Sequence, residues 1–209
     1  NEDISFLDTT NKTYAGNYLN VQSIPGIFAE NSFNLLNDKA TLMTGIRFDN
    51  VNDYGLIFTP RVLLRYQPVA ELVVRLSAGT GFRTSNLFSD NSNLLASSRD
   101  IVIAEKLNPE FTFNYGADVL YYFTLGNIAG SLNLDYYRTE FSNKIIPDYD
   151  TDPTEVIFAN LNGNAFSNVF QTEANISLMR NFDLKLAYKL IDLQYENNGI
   201  NYNQTFNST

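Results

Sequence analysis

Three aspartates at alternate positions form the most concentrated set of possible metal ligands in this sequence. Asp148, Asp150 and Asp152 lie in the stretch Pro-Asp-Tyr-Asp-Thr-Asp-Pro. Carboxylate oxygens at this spacing can gather around Ca²⁺, although Pro153 stands where the loop of an EF-hand requires glycine. The segment therefore predicts a calcium site or, as the simpler interpretation, a solvated acidic loop. We expect no other cofactor.

A second set of residues suits contacts to a ligand from long polar connections. Arginine, amide and aromatic side chains can bind a polyfunctional small molecule, but they equally suit packing within a loop. Arg83 in particular can pair with a neighbouring carboxylate. The candidates are Arg83, Asn86, Phe88, Asn91, Asn93, Tyr149, Phe158 and Asn160.

Composition excludes several kinds of chemistry. The 209 residues contain no Cys and no His, which excludes thiolate chemistry, imidazole metal sites and His-based catalytic triads. No pair of carboxylates can be placed within reach of one another, so we predict no catalytic site and no enzyme. The net charge of −9 argues against a broad basic surface for nucleic acid.

The elements that must position these residues are long strands. Apolar and polar residues alternate with period two, as in a strand with one wet face. Each segment is near or above the ~9–11 residues that a strand needs to cross a bilayer. The predicted strands span 24–34, 39–50, 57–67, 71–83, 111–123, 128–137, 168–178 and 182–190.

The connections between these strands alternate in length. Short turns are predicted near 37–38, 69–70, 125–126 and 180–181, and longer connections at 50–56, 84–109, 143–164 and 196–209. The segment 101–106 is read as a short strand or turn inside a loop. Tight turns at one end and long loops at the other are typical of transmembrane β-barrels, which keep the short turns on the periplasmic side.

The two faces of the predicted strands differ in chemistry. Leu72, Val74, Leu76, Phe113, Tyr115, Leu184 and Leu186 should point away from the lumen, and Arg75, Asn114, Glu173 and Lys185 towards it. A soluble β-sandwich also has alternating strands, but its strands are typically ~5–6 residues long. We therefore predict an all-β fold, an antiparallel up-and-down transmembrane β-barrel segment of about eight long strands.

Several motifs resemble consecutive barrel segments of TonB-dependent outer-membrane receptors. They are Gly45-Ile-Arg-Phe-Asp49, the run from Pro60 to Pro68, and the run from Val74 to Arg83 followed by Ser85-Asn86-Leu87. Leu107-Asn108-Pro109-Glu110 and the run from Leu132 to Ile146 continue the pattern. Their order and spacing are similar to that family over about residues 24–195.

The resemblance implies a bacterial outer-membrane receptor with a 22-stranded barrel plugged by an N-terminal domain. Such receptors bind a scarce nutrient (siderophore, cobalamin or glycan) and import it with energy passed through TonB. The implied partners are outer-membrane lipid, the plug, TonB and the ligand. Residues 1–209 are too few for such a barrel, so we expect a partial barrel domain without the plug.

Two further expectations follow from that reading. An excised part of a barrel would leave two unpaired sheet edges. The chain starts with Asn1-Glu2-Asp3 and shows no signal peptide, which indicates a mature or excised sequence. The alternative function is that of a soluble β-sandwich adhesin or carbohydrate-binding module.

Overall fold

A computed structural model describes residues 2–6, 16–97, 99–149, 151–161, 163–179, 182–197 and 200–203. Within these ranges strands dominate, with one helical turn α1 (Leu87–Asp90) and one 3-10 turn (Ser92–Ala96). No helix in the described part combines the length and apolar character needed to cross a membrane. The strands are β1 (Glu2–Phe6), β2 (Gly16–Asn20), β3 (Gly26–Leu35), β4 (Ala40–Val51), β5 (Gly55–Val69), β6 (Leu72–Arg83), β7 (Asp100–Ile103), β8 (Glu110–Leu125), β9 (Ile128–Ser142), β10 (Ile145–Asp148), β11 (Glu155–Asn160), β12 (Ala165–Met179), β13 (Phe182–Asn197) and β14 (Ile200–Asn203).

The main sheet is antiparallel and has the strand order β14-β13-β12-β9-β8-β6-β5-β4-β3. Its eight long strands correspond one by one to the eight predicted segments, and the short β14 adds a ninth. Strands that follow one another in the sheet also follow one another in sequence, apart from the loop strands. This up-and-down order confirms the predicted fold class. β3 and β14 form the two edges of an open sheet.

The register lines up residues of like chemistry across the whole sheet. Residues paired directly opposite one another share a face of an antiparallel sheet, so each transverse row lies on one face. One row is polar throughout: Asn34, Thr41, Arg65, Arg75, Asp118, Asp135, Gln171 and Lys189. A row on the opposite face is apolar throughout: Phe33, Leu42, Leu64, Leu76, Ala117, Tyr136, Phe170 and Leu190.

The apolar face is open and the polar face is partly enclosed. Leu76, Tyr188 and Leu186 on the apolar face are 47%, 58% and 55% exposed, whereas Asp118 on the polar face is 3% exposed. A soluble β-sandwich would cover such an apolar face with a second sheet, so the structure does not support that alternative fold. The residues predicted for the two sides do fall on opposite faces, since the row of Leu76 and Ala117 and the row of Arg75 and Asp118 alternate along every strand that carries them.

The connections follow the predicted rhythm with two exceptions, one of which is 196–209, where β13 runs to Asn197 and β14 pairs back onto it. Turns lie at 36–39, 70–71 and 126–127, while 180–181 lies outside the described residues. The longer connection predicted at 50–56 is wrong, because β4 runs to Val51 and β5 begins at Gly55. Asp53 and Gly55 take positive φ angles of 75° and 79°, which lets the chain reverse within three residues.

The two longest loops fold together into one small unit. β10, β11 and β7 form a three-stranded sheet in which β7, from one loop, pairs in parallel with β11 from the other. Beneath it lies a core of Leu87, Phe88, Leu94, Ile101, Val156 and Phe158. We call the described parts of 84–109 and 143–164 the cap. The strand predicted as possible within 101–106 is β7, which begins at Asp100.

Candidate functional site

The polar face of the sheet is built from paired charges. Arg75 Nη1 lies 2.5 Å from Asp118 Oδ1 on the neighbouring strand, and Lys185 Nζ lies 2.9 Å from Glu173 Oε1. Arg65 on the same face bonds to the amide oxygen of Gln67 at 2.5 Å, so the face combines ion pairs with neutral polar contacts. A groove of ≈440 Å³ crosses this face, and its lining includes Ser77, Gly79, Gly81, Thr112 and Asn114.

One glycine on this face shapes an ion pair that spans two strand spacings. Arg61 on β5 reaches across β4 to pair with Glu30 on β3. Gly45 lies between them, and a Cβ there would stand 2.8 Å from Arg61 Nε. A side chain at position 45 would therefore displace the guanidinium. This explains the glycine that opens the Gly-Ile-Arg-Phe-Asp motif.

A single carboxylate joins the cap to the sheet. Glu110, 7% exposed, accepts hydrogen bonds from Arg83 Nε at 2.8 Å and from the backbone N–H of Ile145 at 2.8 Å. Arg83 also lies 3.3 Å from Asp90 of α1. Arg83 was predicted either to contact ligand or to pair with a neighbouring carboxylate. In the structure it pairs with carboxylates. Glu110 is one of the residues that sequence reasoning missed.

Other groups brace the base of the cap. Tyr54 in the tight turn donates from its hydroxyl to Leu107 O at 2.6 Å, and Lys106 Nζ lies 4.9 Å from the Tyr54 ring centroid. Lys144, between β9 and β10, is half-buried. This burial lowers the pKa of Lys144 below its usual value, and the opposing effect of the nearby Glu110 carboxylate is smaller. The short turn and both loops thus meet at one junction.

Four of the predicted ligand candidates have structural contacts inside the cap. Phe88 and Phe158 are 2% and 1% exposed and form part of its core, so they shape the cap. Asn91 donates from its side chain to Leu87 O at 2.8 Å. Asn160 donates to Asn143 O at 2.7 Å and to Asn108 O at 3.1 Å, which ties the bases of the two loops together.

The remaining candidates lie on the cap surface. Asn86 and Asn93 are exposed, and Tyr149 is 40% exposed. Arg99 joins Tyr149 across the two loops, with its guanidinium carbon 5.4 Å from the ring centroid and a hydrogen bond to Tyr149 O at 3.3 Å. Sequence reasoning missed Arg99, because nothing in a single loop shows which residue of the other loop it meets.

The acidic loop forms hydrogen-bonded turns at its two described aspartates. Asp148 accepts from Thr151 Oγ1 at 2.6 Å, and Asp152 accepts from Thr154 Oγ1 at 2.6 Å. The bonds from Thr154 lower the pKa of Asp152. Asp150 lies outside the described residues, and those that are described contain no cluster of three potential metal ligands. The calcium site stays a prediction.

Comparisons with known proteins agree with this architecture. The family model "TonB dependent receptor-like, beta-barrel" matches residues 1–209. No curated protein matches the chain. Among solved structures, the FrpB iron transporter from Neisseria meningitidis is similar with a TM-score of 0.62 and 15% identity, covering 83% of this chain and 26% of that one.

Two receptors from Pseudomonas aeruginosa are similar to the same degree. The siderophore receptor PirA has a TM-score of 0.60 and 21% identity, covering 83% of this chain and 34% of PirA. A mutant of the ferric enterobactin receptor PfeA has a TM-score of 0.60 and 15% identity, covering 86% of this chain and 31% of PfeA.

At these identities the solved structures support the fold alone. The chain spans only about a quarter to a third of their length. The family model, in contrast, covers every residue of the chain. The chain therefore belongs to the TonB-dependent receptor family of the bacterial outer membrane, whose β-barrel domain it matches.

Proposed function

We propose that this chain is part of an outer-membrane receptor that binds a scarce nutrient at its cap and imports it with TonB-coupled energy. The ligand class is a siderophore, cobalamin or glycan. The observation that carries the proposal is a single long-stranded sheet with one apolar and one ion-paired face, surmounted by a folded cap.

The two faces indicate how the wall is placed in the membrane. The apolar face, with Leu76 47% and Leu190 53% exposed, would meet lipid, and the ion-paired face would line the lumen. The edges at β3 and β14 would pair with further strands, so residues 1–209 would form a partial barrel domain. The plug and the segment that contacts TonB would lie elsewhere in the full-length receptor.

The cap supplies the surface that a ligand would meet first. Its shared core holds both loops in one arrangement, so exposed side chains from the two loops have fixed relative positions. Tyr149 and Arg99 offer an aromatic ring and a cation side by side, and Asn86 and Asn93 offer amides. Iron complexes are the first ligands to test, because FrpB is an iron transporter, PirA a siderophore receptor and PfeA a ferric enterobactin receptor.

The test is uptake by cells that carry the full-length receptor as their only route for the nutrient. Radio-iron on a panel of siderophores, labelled cobalamin and labelled oligosaccharides serve as probes. We expect one class to be taken up, uptake to stop when a protonophore collapses the inner-membrane gradient, and Tyr149→Ala to reduce it. Tyr188→Ala on the apolar face is the matched control and should leave uptake unchanged.

Two results would contradict the proposal. Uptake that continues after the protonophore would exclude energy coupling through TonB. Equal uptake by the receptor and by cells that lack it, for every probe, would exclude these three ligand classes.

A further inference from the structure

The ladder between β5 and β6 ends before the strands do. Their register runs from Val69 opposite Leu72 up to Arg61 opposite Gly79. β5 nevertheless continues to Gly55 against β4, and β6 continues to Arg83 against β8. The two strands therefore diverge above this point. Pro60 lies at the divergence and has no backbone N–H with which to extend the ladder.

The gap is closed again at its upper end. The Tyr54 hydroxyl bonds to Leu107 O at 2.6 Å, which bridges the turn after β4 to the segment before β8. A groove lies beside this divergence, with β5 on one side and the start of β8 on the other, both of which are interior strands of the sheet. Its volume is ≈350 Å³, and it is lined by Tyr54, Leu56, Ile57, Phe58, Asn108, Pro109, Phe111 and Asn143.

The lining is divided between apolar and polar groups. Leu56 and Phe58, on the apolar face of β5, are 70% and 50% exposed, and Phe111 faces them from β8. Asn108 and Asn143, both exposed, lie at the base of the cap and line the same groove. The groove is therefore amphipathic, with its apolar part continuous with the apolar face of the sheet.

Its height on the sheet matches a membrane border. Phe58 lies eleven residues from the end of β5 at Val69. At ~3.3 Å per residue and a tilt of ~45°, that distance is about 25 Å above the short turn, equal to the height of the apolar band of a barrel. The residues of β5, β6 and β8 that face the same side as Phe58 include no charged residue.

We propose that this groove binds one lipid of the outer leaflet. An acyl chain packs against Leu56, Phe58 and Phe111, and the headgroup accepts and donates hydrogen bonds at Asn108 and Asn143. The occupant is a lipid because the groove extends the surface that faces the membrane. The headgroup also supplies hydrogen-bond partners where β5 and β6 diverge, because the backbone groups of β5 beyond Arg61 are no longer paired with β6. The inference rests on the proposed function in placing the apolar face in the membrane and the cap on its outer side.

The experiment uses the full-length receptor purified from outer membranes in mild detergent. Native mass spectrometry counts the lipids that survive extensive delipidation, and lipopolysaccharide, the lipid of the outer leaflet, is then titrated back in mixed micelles. Leu56→Trp fills the groove, and Leu76→Trp makes the same change on the same face outside it. Asn108→Leu removes one headgroup contact without filling the apolar part.

We expect the wild type and Leu76→Trp to retain one lipid and to rebind one in the titration. Leu56→Trp and Asn108→Leu should each lower this occupancy by about tenfold or more. A wild-type receptor that retains and rebinds no lipid, or equal occupancy in Leu56→Trp, would overturn the site. In those cases, normal insertion into lipid vesicles would show that the proposed membrane placement still stands.

Discussion

A charge introduced at Leu76 distinguishes the two faces of the sheet most sharply. Leu76 is the fifth residue of β6, which begins at Leu72, so it lies about 9 Å above the short turn at ~3.3 Å per residue and ~45° tilt. This height is within the middle third of an apolar band ~25 Å tall. Its cross-strand neighbours are Leu64 and Ala117, neither of which can pair with a cation.

The expected cost follows from that environment. Leu76→Arg should destabilise the inserted barrel by about 2–4 kcal/mol, the range for a cation near the bilayer midplane. Ser77→Arg places the same side chain one residue further on, in the groove of the polar face and diagonally across from Asp118. There the change should cost within about 1 kcal/mol, as for a solvated or paired surface charge.

The assay is reversible folding of the full-length receptor into lipid vesicles. Denaturant titration followed by heat-modifiable gel mobility gives the free energy of unfolding for the wild type and both variants. Equal losses for Leu76→Arg and Ser77→Arg would refute the assignment of faces. A larger loss for Ser77→Arg would mean that position 77 meets a tightly packed partner in the full-length protein.

Four further predictions concern the cap. Glu110→Ala leaves Arg83 and the Ile145 N–H without their acceptor and should destabilise the cap by about 2–3 kcal/mol, seen as faster hydrogen exchange in β7 and β11 but not in β9. Glu110→Gln should lose less, because it keeps an acceptor. The lowered pKa of Lys144 means that the unfolded cap binds the proton more readily, so cap stability should rise as pH climbs from the folded pKa towards 10.5. Lys144→Met should abolish this rise in exchange measurements at several pH values. If the acidic loop binds Ca²⁺, residues 147–155 should resist proteolysis only with calcium present, and calorimetry without a binding signal at millimolar calcium would dismiss the site. Deleting 86–104 should leave the barrel assembled, abolish uptake and expose β10 and β11 to protease, since β7 is lost.

The long strands were predictable because their signal is local. Period-two alternation fixes which residues share a face, and pairing then lines up rows such as Arg65, Arg75 and Asp118 without further information. The connection at 50–56 was mispredicted because polar residues such as Asn50 and Asn52 suggest a loop. In the structure Asn50 continues β4, and the reversal needs only the left-handed residues Asp53 and Gly55.

The cap could not be predicted, because its contacts join residues far apart in sequence. β7 and β11 pair in parallel although more than fifty residues separate them in sequence. The two strands have only four and six residues, and neither sequence pattern predicts which strand it pairs with. From sequence, Phe88 and Phe158 suited ligand contact and loop packing equally well, and their burial in the structure shows that they pack. Glu110 looked like any other carboxylate near the start of a strand, and only the fold shows that it accepts from two elements.

Lipid accessibility along β6 tests the central claim most directly. Spin labels placed singly at positions 72–77 of the full-length receptor in outer membranes report collisions with oxygen, which concentrates in lipid, and with a water-soluble nickel complex. Positions 72, 74 and 76 should show high oxygen and low nickel collision rates, and 73, 75 and 77 should not. A period of two with that phase is what a lipid-facing wall requires. An inverted phase, or uniform accessibility across the six positions, would contradict the account.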